Sequence, residues 1–209
     1  MKIDPNTKKN IIKASFALFL EKGYKELTIK EIMEVTGLSK GAIYHHFKNK
    51  EEIYLATLDQ YFFALLDPKE MTLGETFSEN IEIIYHFFSD LFSNIEGMGA
   101  KGIEYPMRNF FSFQLESEKV DSIREEVSSA VVKFRQRVMA VVQAASDKGQ
   151  IKPELSVEAV TYQVIALIEG TALHHSTVRN HVKAELLKKY KLVFDSYLKL
   201  ICVHAKVNS

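Results

Sequence analysis

The sequence has little of several things. It holds one cysteine, Cys202, so no disulfide forms within the chain and an oxidising compartment is not required. It holds 4 prolines and 9 glycines in 209 residues, which argues for long helices rather than a turn-rich β fold. No apolar run approaches the roughly 18 residues that a membrane-spanning helix needs. Met1 to Asn10 is polar and lacks the apolar stretch of a secretion signal, so a cytoplasmic protein without membrane attachment is expected. Net charge is missing too, since 27 Lys and Arg balance 27 Asp and Glu. The rest is ordinary for a globular protein: 46% hydrophobic and 26% charged, which excludes a disordered or collagen-like chain. A chain of this length buries about 70% of its unfolded surface, ample for a core.

The zero charge conceals a gradient. Residues 1–50 contain ten lysines against five acids, a net +5, so the remainder carries −5. A basic head on an acidic body suggests a polyanion partner for the head. The same lysines would also suit a solvated helix face.

Apolar spacing reads as helix along the whole chain. Ile11, Ile12, Phe16 and Phe19 recur at helical intervals from Thr7, and Gly23 is a natural stop. Thr28 with Glu31 three residues on forms a capping box for a second helix carrying Ile32. Ser39 caps a third, Lys40 to Phe47, with Ile43 and Phe47 on one face. Asn49 caps a fourth, which runs through Ile53 and Leu58 towards Asp67-Pro68. Further helices are expected from Phe77 to Phe92, from Pro106 to Leu115, over Lys119–Lys148 up to Gly149, from Ser156 to about Asn180, and over Lys183–Val203. The fold class expected is all-α, with about nine helices.

Residues 28–47 therefore read as helix, tight turn, helix, with Gly37 where the chain must reverse. That is the layout of a helix-turn-helix, whose second helix enters the major groove of DNA. A plain helical hairpin has the same outline. The content of the second helix points to DNA. Gly41 and Ala42 are small enough for close approach, and Tyr44 and His45 offer a hydroxyl and an N–H to phosphates. Lys40, Lys48 and Lys50 place charge at its ends, and the helix starts at Thr28 and Ser39 present backbone N–H groups. Lys40 can donate to guanine and Ala42 can touch a thymine methyl. The first arginine is Arg108, so residues 1–50 cannot make the bidentate Arg–guanine contact; base reading then rests on Lys40, methyl contacts and DNA shape.

Residues 8–58 resemble the TetR family of bacterial transcriptional regulators. The likeness runs through Ile11-Ile12-Lys13-Ala14, Phe19, Gly23-Tyr24, Thr28 and Glu31-Ile32, and above all through the unbroken string from Gly37 to Glu52, Gly-Leu-Ser-Lys-Gly-Ala-Ile-Tyr-His-His-Phe-Lys-Asn-Lys-Glu-Glu. Met33 departs from the family's usual alanine. The resemblance implies a three-helix DNA-binding head, residues 1–50, and a six-helix effector-binding and dimerisation domain, residues 51–209. It also implies phosphate contacts for Thr28, Tyr44, His45 and Lys50, base-edge roles for Lys40, Gly41 and Ala42, and a homodimer on a palindromic operator in double-stranded DNA, released by a small-molecule effector.

The body is rich in rings. Phe62, Tyr85, Phe88, Phe92, Tyr105, Phe110, Phe111, Phe134 and Tyr162, with the polar Gln114, Glu169 and His174, are candidates for the lining of an apolar effector pocket, although most such rings simply fill cores. The last helices are apolar over more than one stripe, and Leu186, Tyr190, Val193 and Tyr197 are candidates for a dimer interface. His174 and His175 are adjacent and lie about 100° apart on a helix, a poor geometry for one metal ion. No phosphate loop, nucleophile elbow or zinc-protease motif is present, so no cofactor, metal or catalytic site is expected. A helical ligand- or partner-binding protein that reads no DNA sequence is the alternative function.

Overall fold

The computed structural model describes residues 6–63, 72–98, 109, 111–112, 115–116, 120–176 and 183–203. The fold is all-α. The described helices are α1 (Thr7–Glu26), α2 (Ile29–Thr36), α3 (Lys40–His46), α4 (Lys50–Leu58), α5 (Phe77–Met98), α6 (Asp121–Asp147), α7 (Val157–His175) and α8 (Lys183–Ile201). That is eight where about nine are expected. Residues 109, 111–112 and 115–116 are helical too, overlapping the segment where the sequence predicts a helix from Pro106 to Leu115.

The contacts divide the chain into two compact units, residues 1–67 with 95–130, and residues 68–94 with 131–209. In the first, α1 packs on α2 and α4, and α2 on α3. The core is apolar and aromatic: Ile11, Phe16, Phe19, Leu27, Ile32, Ile43, Ile53, Tyr54 and Leu58 are all buried. Phe16 stacks on Tyr61 at 4.2 Å, and Phe19 meets Tyr54 edge-on at 4.7 Å. Tyr61 belongs to a π-helical turn, Asp59–Phe63, that follows α4. The uniform helix expected from Asn49 onwards is thus α-helical only to Leu58.

In the second unit α7 lies against α8. Here Phe134, Val138, Val141 and Val142 of α6, Val164 and Ile168 of α7, and Leu186, Tyr190 and Phe194 of α8 are buried. The end of α8 is tied back to the turn after α6. Lys152 donates its N–H to the Ile201 carbonyl at 2.9 Å, and Val203 donates to that of Gln150 at 3.0 Å. The Gln150 side chain in turn accepts the Phe77 N–H at 2.7 Å, satisfying a donor at the start of α5.

Gly23 interrupts α1 with φ 76 and ψ 169, a region open essentially to glycine alone. The break lets the chain leave α1 and enter the cap of α2. A Cβ at Gly23 would also come within 2.6 Å of the Glu116 carboxylate. Gly23→Ala is expected to lower stability by about 1–3 kcal/mol, read as a lower thermal-unfolding midpoint by circular dichroism. An unchanged midpoint would show that the turn does not need this backbone conformation.

Candidate nucleic-acid interface

The turn between α2 and α3 is built from local hydrogen bonds. Thr36 donates its hydroxyl to the Ile32 carbonyl at 2.6 Å, and Gly37 takes a left-handed conformation, φ 68 and ψ 14. The Ser39 hydroxyl accepts the Ala42 N–H at 3.3 Å and so caps α3. At the other end Phe47 donates its N–H to Ile43 at 3.0 Å. Ile43 and Phe47 are buried, Ile43 to 1% exposure, and this fixes the rotation of α3. Lys40, Gly41, Tyr44 and His45 consequently face outwards, with Ala42 half-buried among them.

The outward face is preorganised. The Lys40 ammonium lies 5.7 Å from the centre of the Tyr44 ring, within cation–π range. His45 and His46 meet edge-on at 5.1 Å. A Cβ built on Gly41 would meet nothing within 4 Å, so the protein itself has no steric need for glycine there. Lys48 is exposed beyond the end of α3. Its N–H donates to Glu52 at 2.7 Å, and its ammonium stands 3.6 Å from the same carboxylate. Asn49 caps α4 through the Glu52 N–H at 2.8 Å.

Two of the residues matched to phosphate contacts already have partners. Thr28 donates both its N–H and its hydroxyl to Glu31, each at 2.8 Å, and accepts the Glu31 N–H at 3.3 Å. Glu31 also receives the Lys22 ammonium at 2.5 Å. The bond from Lys22, and then those from Thr28, hold the Glu31 carboxyl at about 2, well below its usual 4.5. The Lys50 ammonium points into the α1–α2 turn, onto the carbonyls of Tyr24 at 2.6 Å, Leu27 at 3.0 Å and Lys25 at 3.4 Å. It lies 4.4 Å from the centre of the Tyr24 ring, and burial lowers its pKa.

Neither Lys22 nor Glu116 stands out in the sequence as a partner of this region. Glu116 accepts the Tyr24 N–H at 3.1 Å from 92 residues away. Helical spacing carries no information at that distance. Lys22 is nine residues from Glu31, across a break in the helix, and no helical periodicity pairs them.

The pocket candidates separate. Tyr85, Phe88 and Phe134 are buried in the second unit. Tyr85 stacks on Tyr190 and on Phe194, both at 5.7 Å, and Phe88 meets Phe134 at 5.4 Å. These rings touch one another as a core does. Tyr162 and His174 lie on the surface, and the Tyr162 hydroxyl accepts from Arg135 at 2.8 Å. Glu169 is exposed on α7, yet the protein beside it removes enough water to raise its carboxyl pKa. Phe111 is half-buried and belongs to the first unit. Tyr105, Phe110, Gln114 and the side chains of Phe62 and Phe92 lie outside the described residues. Of the interface candidates, Leu186 and Tyr190 are buried within the chain's own core, Tyr190 with its hydroxyl on the Ile168 carbonyl at 3.1 Å. Side chains so enclosed leave no surface for a second copy. Val193 and Tyr197 are half-exposed.

Two family models match the chain. Residues 11–57 match the model described as bacterial regulatory proteins, tetR family, and residues 115–188 the one described as tetracyclin repressor-like, C-terminal domain. The chain belongs to the TetR family. Among curated TetR-family relatives, the transcriptional repressor AcnR of Corynebacterium efficiens is 26% identical over 79% of this chain and 79% of its own. The regulator QacR of Staphylococcus aureus is 25% identical over 90% of this chain and 96% of its own. A TetR regulator from Chloroflexus aurantiacus superposes with a TM-score of 0.70 at 24% identity, covering 95% and 97% of the two chains, and shares the fold. TetR regulators bind DNA and small-molecule effectors, typically as dimers. No described helix is long and apolar enough to cross a membrane.

The Glu31 network has a pH signature. A carboxyl whose pKa is lowered on folding stabilises the fold above its unfolded value, and that gain is lost as pH falls. Glu31→Gln is therefore expected to melt at a lower temperature than the unmutated protein at pH 7. The gap should close as pH drops from 4.5 to about 2. A gap independent of pH across that window would rule out the carboxylate as its source.

Proposed function

We propose that this chain is a ligand-responsive transcriptional repressor. It binds a palindromic operator as a homodimer and leaves it when a small hydrophobic effector occupies the body. The observation that carries the DNA-reading part is the exposed face of α3. Lys40, Gly41, Ala42, Tyr44 and His45 are turned outwards by burial of Ile43, with open space over Gly41. Lys40 and Ala42 act at base edges, and Tyr44, His45 and Lys48 act at phosphates. With no arginine before Arg108, Lys40 is the cation offered to guanine, and DNA shape supplies further selectivity.

Dimerisation is supported by apolar surface on the last two helices. Tyr162 and Leu173 of α7, and Leu192 and Leu200 of α8, are exposed, the last two by 70% and 69%. Two such faces form a four-helix arrangement between copies and place two α3 helices about one or more DNA turns apart. The effector acts by population shift, favouring a separation of the heads that misses the groove spacing. The ring-rich composition of the body supports a hydrophobic effector. Regulation rather than catalysis also fits the relatives, which are named as transcription regulators.

The direct test is selection of bound DNA from a random pool. A palindromic consensus and binding that weakens steeply with salt are expected. Binding without sequence preference would favour a helical ligand- or partner-binding protein. Lys40→Ala should relax preference at a guanine position; an unchanged consensus would remove Lys40 from base reading. Gly41→Ala should raise stability by roughly 0.5–1 kcal/mol, because glycine inside a helix is intrinsically unfavourable, while weakening operator binding. Retained affinity in a more stable protein would refute close approach of DNA at Gly41. Leu192→Asp with Leu200→Asp should yield a monomer by analytical ultracentrifugation; a persistent dimer would relocate the interface.

A further inference from the structure

The geometry points to Lys50 as a positioning residue that locks the α1–α2 turn from inside the head, rather than as a contact to the DNA backbone. An ammonium has three N–H donors and no acceptor. Here three carbonyls converge on it: Tyr24 at 2.6 Å, Leu27 at 3.0 Å and Lys25 at 3.4 Å. Its donors are therefore fully occupied, and the Tyr24 ring covers it at 4.4 Å. A phosphate would have to compete with all of these.

The three carbonyls lie where the helix loses its own ladder. Gly23 has left helical geometry, and Leu27 is the extended residue that closes α1 before the Thr28 cap. The acceptors left over at such an end require partners. Lys50 supplies them from the first turn of α4, half-buried. On the amide side of the same turn Glu116 accepts the Tyr24 N–H at 3.1 Å. The turn is thereby held by an ammonium on its carbonyls and a carboxylate on an N–H. Because α2 begins right after it and carries α3, the locked turn sets the pose of the reading face. Lys48, two residues earlier and exposed, is the lysine left for phosphate at this end of α3.

The inference rests on the DNA-binding reading above, and the experiment separates the two. Affinity for the selected operator is measured against salt concentration for the unmutated protein, Lys50→Met and Lys50→Arg, with thermal unfolding of each recorded without DNA. Lys50→Met is expected to lower affinity by roughly tenfold at every salt concentration, a parallel line, because no phosphate contact is lost. Its melting midpoint should fall by roughly 2–4 °C. Lys50→Arg keeps the charge, but a planar fork cannot gather three convergent carbonyls. It is expected to weaken binding as well, and it tests the idea even where the methionine variant fails to fold. A salt slope shallower by about 0.9 per subunit in Lys50→Met would overturn the proposal in favour of a phosphate contact. So would full affinity of Lys50→Arg, or an unshifted midpoint in Lys50→Met. An unmutated protein that selects no DNA sequence sinks the regulator reading instead, and the melting experiment then decides the lock alone.

Discussion

A helix of seven residues does not hold itself together in water, because nucleation fixes more dihedrals than its few hydrogen bonds repay. α3 is such a helix, and the head depends on how it is held. Burial of Ile43 and Phe47 against the rest of the head supplies the free energy, and the Ser39 cap and the left-handed Gly37 supply the ends. The same burial has a directional consequence. Once Ile43 points inwards, the roughly 100° step per residue forces Lys40, Gly41, Tyr44 and His45 to the outside. Stability and the presentation of a reading face are one event.

Around α3 the head is a study in satisfied termini. The capping box of Thr28 and Glu31, the Asn49 cap of α4 and the Lys50 contacts each give partners to backbone groups that a short helix leaves bare. Short helices have proportionally more ends, so α2, α3 and α4 rely on these bonds more than long helices do. Several polar side chains that look available for a ligand in the sequence are engaged in this way. Thr28 and Lys50 are the clear cases, while Lys40, Tyr44, His45 and Lys48 remain on the surface.

The second unit follows a different logic. Its helices α7 and α8 are long, 19 residues each, and rings pack on one another among buried aliphatic side chains. Tyr85, Tyr190 and Phe194 stack together, and Phe88 closes on Phe134. Burial pushes the Tyr85 phenol up to about 12. Among the apolar residues that stay outside, Leu192 and Leu200 lie on α8 and Leu173 on α7.

Much of this could be read from the chain alone, because the signals are local. The capping pairs Thr28–Glu31 and Ser39–Ala42, the left-handed Gly37, the Gly149 stop and the inward Ile32, Ile43 and Phe47 follow from spacing and backbone preference within a few residues. The all-α class and the outward face of α3 follow from them. What depends on distant residues was not legible. Leu186 and Tyr190 share an apolar stripe with residues that stay exposed, and periodicity cannot say which stripe meets the chain's own core and which is left for a second copy. Nor could it assign Lys50. A lysine beside α3 reads as a phosphate ligand in the sequence, and only the fold brings the carbonyls of Tyr24, Lys25 and Leu27 to its ammonium. Sequence determined which segments are helical and which faces are apolar, since those are short-range properties of the backbone and side chains. Tertiary structure alone decided which polar groups stay available for a partner, because a donor is used up by whatever acceptor the fold brings within about 3 Å.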